Sequence, residues 1–322
     1  MRLTLRQIEY VVEVARRGSI AAACKDFRIS QSSVLAAIAT AEEAAGTRIF
    51  ERRKGHGVAV TPAGQKFLVS ARRFLSAGAD FFTSLDELAH SGHHAIRVGC
   101  FSPLGALLVP PVVKRMRNES GKSEFILYEG DQVELRSWLN AGMLDVVVTY
   151  DIGEEYGSGI TPICKVPAHA LVRHDDSFAE KATVSMEELS QRPLVLLDLP
   201  ETRTYLMALF DFAARRPKLG LRTRSYETIR AAVSNGLGVS VLNIRPNREA
   251  SPDGPELRRI PISDRLRQPT LLAADPYGEN KPAYVKAFIR NLHHYMEELG
   301  PANFAVVPSG QGEDLMFPPP RL

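Results

Sequence analysis

Three Cys in 322 residues are too few, too scattered and odd in number for a disulfide framework, and none forms a C-x-x-C pair. Cys24, Cys100 and Cys164 therefore read as isolated reduced thiols of a cytoplasmic protein. No apolar run approaches the ~18 residues that span a bilayer, and the start lacks the charged and apolar regions of a secretory signal, so no membrane partner is expected. The adjacent pairs His93-His94 and His293-His294 point about 100° apart if helical, which reads as solvated surface rather than a metal site. Cys100 beside Ser102 has no His or acid at an interpretable spacing and reads as a small buried hydrophobe. No catalytic constellation, metal or cofactor is expected.

What is present is an ordinary globular composition, 44% apolar and 24% charged, in a length that suits two or three compact units. The net charge is only +3, but residues 1–60 hold ten Lys plus Arg against six Asp plus Glu, so the rest of the chain is near neutral. Within that basic segment Leu5, Ile8, Val11, Val12 and Ala15 share a helix face between a Thr4 cap and a Gly18 stop. Residues 19–46 then read as two short helices about a tight turn. Ser19 caps the first and Ser30 the second, whose Val34, Ile38 and Ala41 recur at helical spacing before Gly46. On these residues alone a helical hairpin in some unrelated core remains open. A helix-turn-helix is the alternative, and it would place Ser30, Gln31, Ser32, Ser33, Leu35 and Ala36 at the end that enters a major groove.

Ile49-Phe50 and Val58-Ala59-Val60 read as strands of a hairpin whose turn, Arg52-Arg53-Lys54-Gly55-His56-Gly57, is basic. Arg52, Arg53 and Lys54 there would reach phosphates or the minor groove. Thr61-Pro62 starts a helix whose apolar positions run through Phe67, Leu68, Ala71, Phe74, Leu75, Phe81, Phe82, Leu85 and Leu88 to Ser91-Gly92. So many apolar side chains on one long helix need a partner, and a second copy is the economical one.

Six short motifs in order, Leu5-Arg6-Gln7-Ile8, Gly18 to Ala23, Ile29 to Val34, Glu42 with Gly46, Ile49 to Arg52 and Thr61 to Gly64, together resemble the amino-terminal signature of LysR-type transcriptional regulators. The resemblance implies double-stranded promoter DNA as a partner, a homodimer or homotetramer, and RNA polymerase as a further contact. The chain departs from the family's pattern where members commonly carry Pro after the Gln and basic residues a turn later. Here stand Ser32, Ala36, Ala37, Ala39 and Thr40, which offer contact to thymine methyls but few hydrogen bonds to base edges. Readout is then expected to lean on Gln31, Ser32, Ser33, the wing and DNA shape.

From Ala95 strands and helices alternate: strands at 96–101, 124–128 and 144–150 with helices at 104–117 and 133–141, then strands at 194–198, 221–224 and 239–242 with helices at 203–215 and 226–234. A strand at 270–274 and a helix at 282–299 return to the first half. This predicts a mostly parallel sheet in each of two α/β lobes joined by crossing strands, with a cleft outside the strand ends, a periplasmic-binding-protein-like arrangement. The segments 142–146 and 233–238 also resemble the family's effector domain.

Strand ends nominate Ser102, Pro103, Gly130, Thr149, Tyr150, Thr202, Arg203 and Asn243 for a small-molecule effector. Arg203 and Arg245 with nearby hydroxyls suit a carboxylate, whereas Glu129, Asp131, Asp151 and Glu201 suit an amine or an amino-acid-like zwitterion; the sequence leaves both open. The expected division is a winged helix-turn-helix over 1–60, a linker and dimerisation helix over 61–91, a two-lobe effector domain over 95–299, and a disordered tail over 300–322 rich in Pro and without periodicity. The function so implied is a sequence-specific DNA-binding regulator controlled by a metabolite between the lobes. An enzyme that has borrowed the two-lobe domain, or an architectural DNA-binding protein without an effector, remains as a rival.

Overall fold

The computed structural model describes residues 3–27, 29–52, 57–89, 95–120, 124–157, 159–245, 256–308 and 310–320. The chain divides into two compact units, one of Met1–His94 with Asn140–Met143 and one of Ala95–Leu139 with Leu144–Leu322.

In the first unit α1 (Leu5–Arg17) opens on a capping box: Gln7 N–H donates to Thr4 Oγ1, and Thr4 N–H donates to Gln7 Oε1. Helices α2 (Ile20–Phe27) and α3 (Gln31–Ala45) follow, and α3 ends at Gly46 in the left-handed conformation at φ 63°. Val11, Val14, Ala23, Val34, Ile38 and Ala41 bury together, so the spacing that predicted the three helices is the spacing of their shared core. Strands β1 (Phe50–Arg52) and β2 (Val58–Val60) pair antiparallel, with Phe50 opposite Val60. Gly57, at φ 80°, brings the return strand so close to the α1–α2 turn that any Cβ would collide with the Gly18 carbonyl, which accepts the Val58 N–H at 3.0 Å. Helix α4 (Pro62–Ala89) starts where Thr61 Oγ1 accepts the Gly64 N–H.

The second unit has two lobes. The first holds a five-stranded sheet in the order β4-β3-β5-β12-β6: β3 (Ala95–Phe101), β4 (Glu124–Gly130), β5 (Val146–Tyr150), β6 (Gly159–Lys165) and β12 (Thr270–Asp275). Its helices are α5 (Ser102–Ser120), α6 (Gln132–Asn140) and α10 (Ala283–Leu299). The other lobe holds β7 (His169–Arg173), β10 (Ser240–Leu242) and β11 (Leu257–Pro261) in one sheet and β8 (Leu194–Leu197) with β9 (Leu219–Thr223) in another, carrying α7 (Met186–Ser190), α8 (Pro200–Ala208) and α9 (Tyr226–Ser234). Segments 166–168 and 262–269 cross between lobes. The mostly parallel expectation holds for β3 with β4 and β5 and for β8 with β9, but not for β12, which runs antiparallel to both neighbours as it returns from the second lobe, nor for β7, which runs antiparallel to both β10 and β11. The expected helix at 203–215 in fact begins at Pro200, whose ring suits a first helical position, and gives way to a short 3-10 turn at Leu209–Phe212.

The expected disordered tail over 300–322 is corrected by the described residues 300–308 and 310–320. Pro301–Phe304 forms α11, and Phe304, Ala305, Val306 and Leu315 are buried. Lys165 N–H donates to Leu315 O at 2.7 Å and Phe317 N–H to Ile163 O at 3.0 Å, so the tail lies along the free edge of β6. An uncovered strand edge offers unpaired backbone groups, and covering it satisfies them. His293 is buried for the same reason, its Nε2 donating to Phe317 O at 2.9 Å, and is not the solvated surface residue expected.

A candidate DNA-reading face and a closed inter-lobe cleft

Ser30 caps α3 by accepting the Ser33 N–H at 3.2 Å, and its Oγ lies 2.8 Å from both Ser32 Oγ and Ser33 Oγ. This hydroxyl cluster stands at the positive end of the helix dipole, where phosphate oxygens are attracted. Gln31, Ser32, Ser33, Leu35 and Ala36 are all exposed, whereas Val34, Ala37, Ile38 and Ala41 are buried. The two sets alternate at helical spacing, so the groove-facing candidates lie on the outer side of α3 together. Leu35 is a large apolar side chain left facing solvent, which suits contact to a thymine methyl.

Beside it, Glu42 Oε1 accepts the N–H groups of Ile49 and Phe50 at 2.8 and 3.1 Å, so the last turns of α3 anchor the start of the wing. Arg52 closes β1 opposite Val58; Arg53 and Lys54 lie outside the described residues. Glu42 belonged to the sequence signature, but its role as the clamp between helix and wing depends on a contact seven residues away.

In the second unit a small cavity lies where the two lobes meet, lined by Phe101, Pro103 and Tyr150 from one side and by Leu197, Thr202, Leu206, Tyr226, Val241, Leu242, Asn243 and Ile244 from the other. Its free volume of about 20 Å³ holds about one water. Of the eight effector candidates, Pro103, Tyr150, Thr202 and Asn243 converge on it, and Ser102, Gly130, Thr149 and Arg203 do not. Ser102 is the first residue of α5 and is partly buried beside Pro103. Gly130 is buried where a Cβ would press on the Trp138 ring. Thr149 points to the opposite face of β5 from Tyr150 and is wholly buried. Arg203 pairs with Asp198 at 3.1 Å.

The cavity wall is apolar with a few fixed polar groups. Asn243 Nδ2 donates to Val166 O and to the Tyr205 hydroxyl, each at 2.9 Å. Tyr226, missed because its position read only as a helix start, receives Arg259 Nη2 at 3.0 Å and donates to Ile244 O at 3.3 Å. Arg259 Nη1 also meets His169 Nε2 at 2.7 Å; burial, then the Arg259 charge, holds that imidazole well below its ordinary range and therefore neutral. Burial likewise raises the Tyr150 phenol well above its usual range, and raises Tyr205 to about 12 against its hydrogen bond with Asn243. Burial, and then the nearby Glu129 charge, raises the Cys100 thiol, so it is no thiolate nucleophile near neutral pH. Thr202 Oγ1 donates to Gln132 Oε1 at 3.3 Å across the mouth, and the ion pairs of Arg136 with Glu201 and of Arg224 with Asp131 also cross it.

Residues 5–65 match the family described as "Bacterial regulatory helix-turn-helix protein, lysR family", and residues 89–297 match the "LysR substrate binding domain". The chain belongs to the LysR family, whose members are transcriptional regulators rather than enzymes, and carries that family's effector-binding domain. Among relatives, it is 26% identical over 271 residues to the uncharacterized HTH-type transcriptional regulator YcgK of Bacillus subtilis, covering 78% of this chain and 83% of that protein. It is also 26% identical to the transcriptional dual regulator GltC of the same organism, covering 78% of this chain and 84% of the relative. A full-length OxyR variant from Pseudomonas aeruginosa shares the fold at a TM-score of 0.65 and 23% identity, over 91% of this chain and 95% of the other. The LysR-family regulator HinK, also from Pseudomonas aeruginosa, is 26% identical with a TM-score of 0.57, over 91% of this chain and 98% of that one. Among the described residues no helix is long and apolar enough to cross a membrane, and no cluster of His, Cys and acids suits a metal.

Proposed function

We propose that this chain is a sequence-specific, cytoplasmic regulator that binds promoter DNA as a homodimer or homotetramer and is switched by a small carboxylate or amino-acid-like effector between the lobes of its second unit. Residues 1–60 would read the DNA, 61–91 join subunits, and 95–299 bind the effector. The observation that carries the DNA reading is the outer face of α3, where Gln31, Ser32, Ser33, Leu35 and Ala36 are exposed together beside the wing. A change in lobe orientation would alter how paired helix-turn-helix units fit a dyad site, and a bound dimer would present a surface to RNA polymerase.

Two measurements test this reading. Promoter binding that depends on phosphate contacts falls about 10³–10⁵-fold between 50 and 200 mM salt for 6–10 contacts, and salt-insensitive binding would sink the mechanism. In thermal denaturation against a panel of small acids and amino acids, one compound should raise the melting temperature of the native chain. Stabilisation by none favours an architectural DNA-binding protein.

The two DNA-contacting elements should also separate by mutation. Gln31→Ala should cost about 1–3 kcal/mol on the specific site and little on random DNA, because a side chain on a base edge discriminates sequences. Arg52→Ala should weaken both by a similar factor, because a phosphate contact does not. Equal losses on specific and random DNA for Gln31→Ala would remove α3 from its reading role.

A further inference from the structure

Arg136 on α6 is a guanidinium built into a socket. Only 11% of its side chain is exposed, its Cζ lies 5.4 Å from the centre of the Tyr156 ring, and its Nη1 donates to the Glu154 carbonyl at 3.0 Å. Its forked edge takes the Glu201 carboxylate of α8 from the facing lobe, Nη2 donating to Oε1 and Nη1 to Oε2 at 3.3 Å. The Glu154 N–H adds a longer bond to Oε1 at 3.4 Å. Gly153, at φ 81°, lies directly beneath, and a Cβ there would collide with that carboxylate. The Glu154 carboxylate, 3.5 Å from Arg136 Nε and largely in solvent, opposes an incoming anion. Next to this socket Gln132 is wholly buried, its Oε1 taken by Thr202 and its Nε2 without a hydrogen-bond partner among the described residues.

A nearly buried guanidinium in fork geometry, a backbone N–H and a bare glycine surface are the parts of a carboxylate receptor. Here the occupant is tethered to the opposite lobe, one residue before Thr202, which lines the cavity. We infer that Arg136, Gly153 and the Glu154 N–H form the receptor for an effector carboxylate, and that Glu201 fills it as a built-in stand-in that keeps the lobes closed until such a carboxylate displaces it. The inference rests on the reading of the inter-lobe cleft as the effector site.

The charge balance selects the ligand class. Opening the lobes parts the Arg136 guanidinium from its carboxylate, a pairing that an incoming acid restores and an amine cannot. Three of the four acids that suggested an amine, all but Glu129, are already engaged. Asp131 Oδ1 accepts the N–H groups of Val133 and Glu134, and its Oδ2 meets Arg224. Asp151 Oδ1 accepts the Thr270 N–H at 2.7 Å, and Glu201 is held by Arg136. The Arg224 pair lies on the rim with 62% of that Arg side chain exposed and adds little to closure.

The test is calorimetric titration of the full chain with succinate, and with methylammonium as the cationic control. Glu201→Gln should bind succinate at least tenfold more tightly than the native chain and should not bind methylammonium. The double variant Glu201→Gln with Arg136→Gln should lose the whole gain. Should Glu201→Gln fail to fold, Glu201→Asp, which shortens the tether but keeps the charge, should show a smaller gain in the same direction. No gain in either variant, or a gain that survives loss of Arg136, overturns the receptor. Succinate binding by Glu201→Gln, with no compound of the acid and amino-acid panel stabilising the native chain, leaves Arg136 as a carboxylate socket but overturns displacement of Glu201 by an effector.

Discussion

Replacing Asp145 by Ala should destabilise the two-lobed unit by about 3–5 kcal/mol, because it removes the buried half of an ion pair rather than a surface contact. Asp145 has no exposed side chain; its Oδ1 receives Arg97 Nη2 at 2.6 Å and the Tyr277 hydroxyl at 3.3 Å, and its Oδ2 receives the Arg97 N–H at 2.7 Å and Nε at 3.1 Å. The Asp145 N–H in turn donates to Arg97 O at 2.9 Å, so one residue ties the start of β3 to the approach of β5. Deleting the carboxylate removes at once an acceptor shared by a backbone N–H, a hydroxyl and a guanidinium. At about 2–4 °C per kcal/mol for a unit of this size, the melting temperature should fall by roughly 6–20 °C. Asp145→Asn keeps one acceptor oxygen and should cost less. A fall of under about 1 kcal/mol for Asp145→Ala in denaturant titration would show that the pair is dispensable.

Phe304→Ala should cost a similar amount, about 3–5 kcal/mol, although it lies beyond the last long helix of the domain. Phe304 is fully buried, and its carbonyl accepts the Arg245 N–H at 3.0 Å while Arg245 Nε donates to Asn303 O at 3.1 Å. The tail thus packs on the end of β10 in one lobe and, through Leu315 and Phe317, on the edge of β6 in the other. An unpacked tail would make the substitution neutral within about 0.5 kcal/mol, so chemical denaturation of this variant distinguishes the two cases. Chain truncation after Gly300 should be worse still, since it also uncovers the β6 edge.

The first unit was largely legible because its contacts are local. Thr4 with Gln7, Ser30 with Ser33 and Thr61 with Gly64 are caps spaced three residues apart, and the apolar positions of α1 to α3 recur at the helical period that buries them. The cleft was legible to the nearest residue but not to the side chain. In each of the neighbouring pairs Ser102 and Pro103, Thr149 and Tyr150, and Thr202 and Arg203, only one member reaches the cavity. Successive side chains face opposite ways on a strand and about 100° apart on a helix, so a strand-end rule finds the place and not the face.

By itself the sequence determined the helix starts and stops of the first unit, the wing hairpin, the alternation of strands and helices and the family, because each is written in short-range periodicity and capping residues. Tertiary structure alone decided that the tail is docked, that Tyr226 joins the cleft wall and that Arg136 is answered by Glu201, 65 positions away. These depend on which surfaces meet when distant segments pack. No local pattern records that a carboxylate will find its guanidinium across a cleft, or that a Pro-rich end will cover a strand edge.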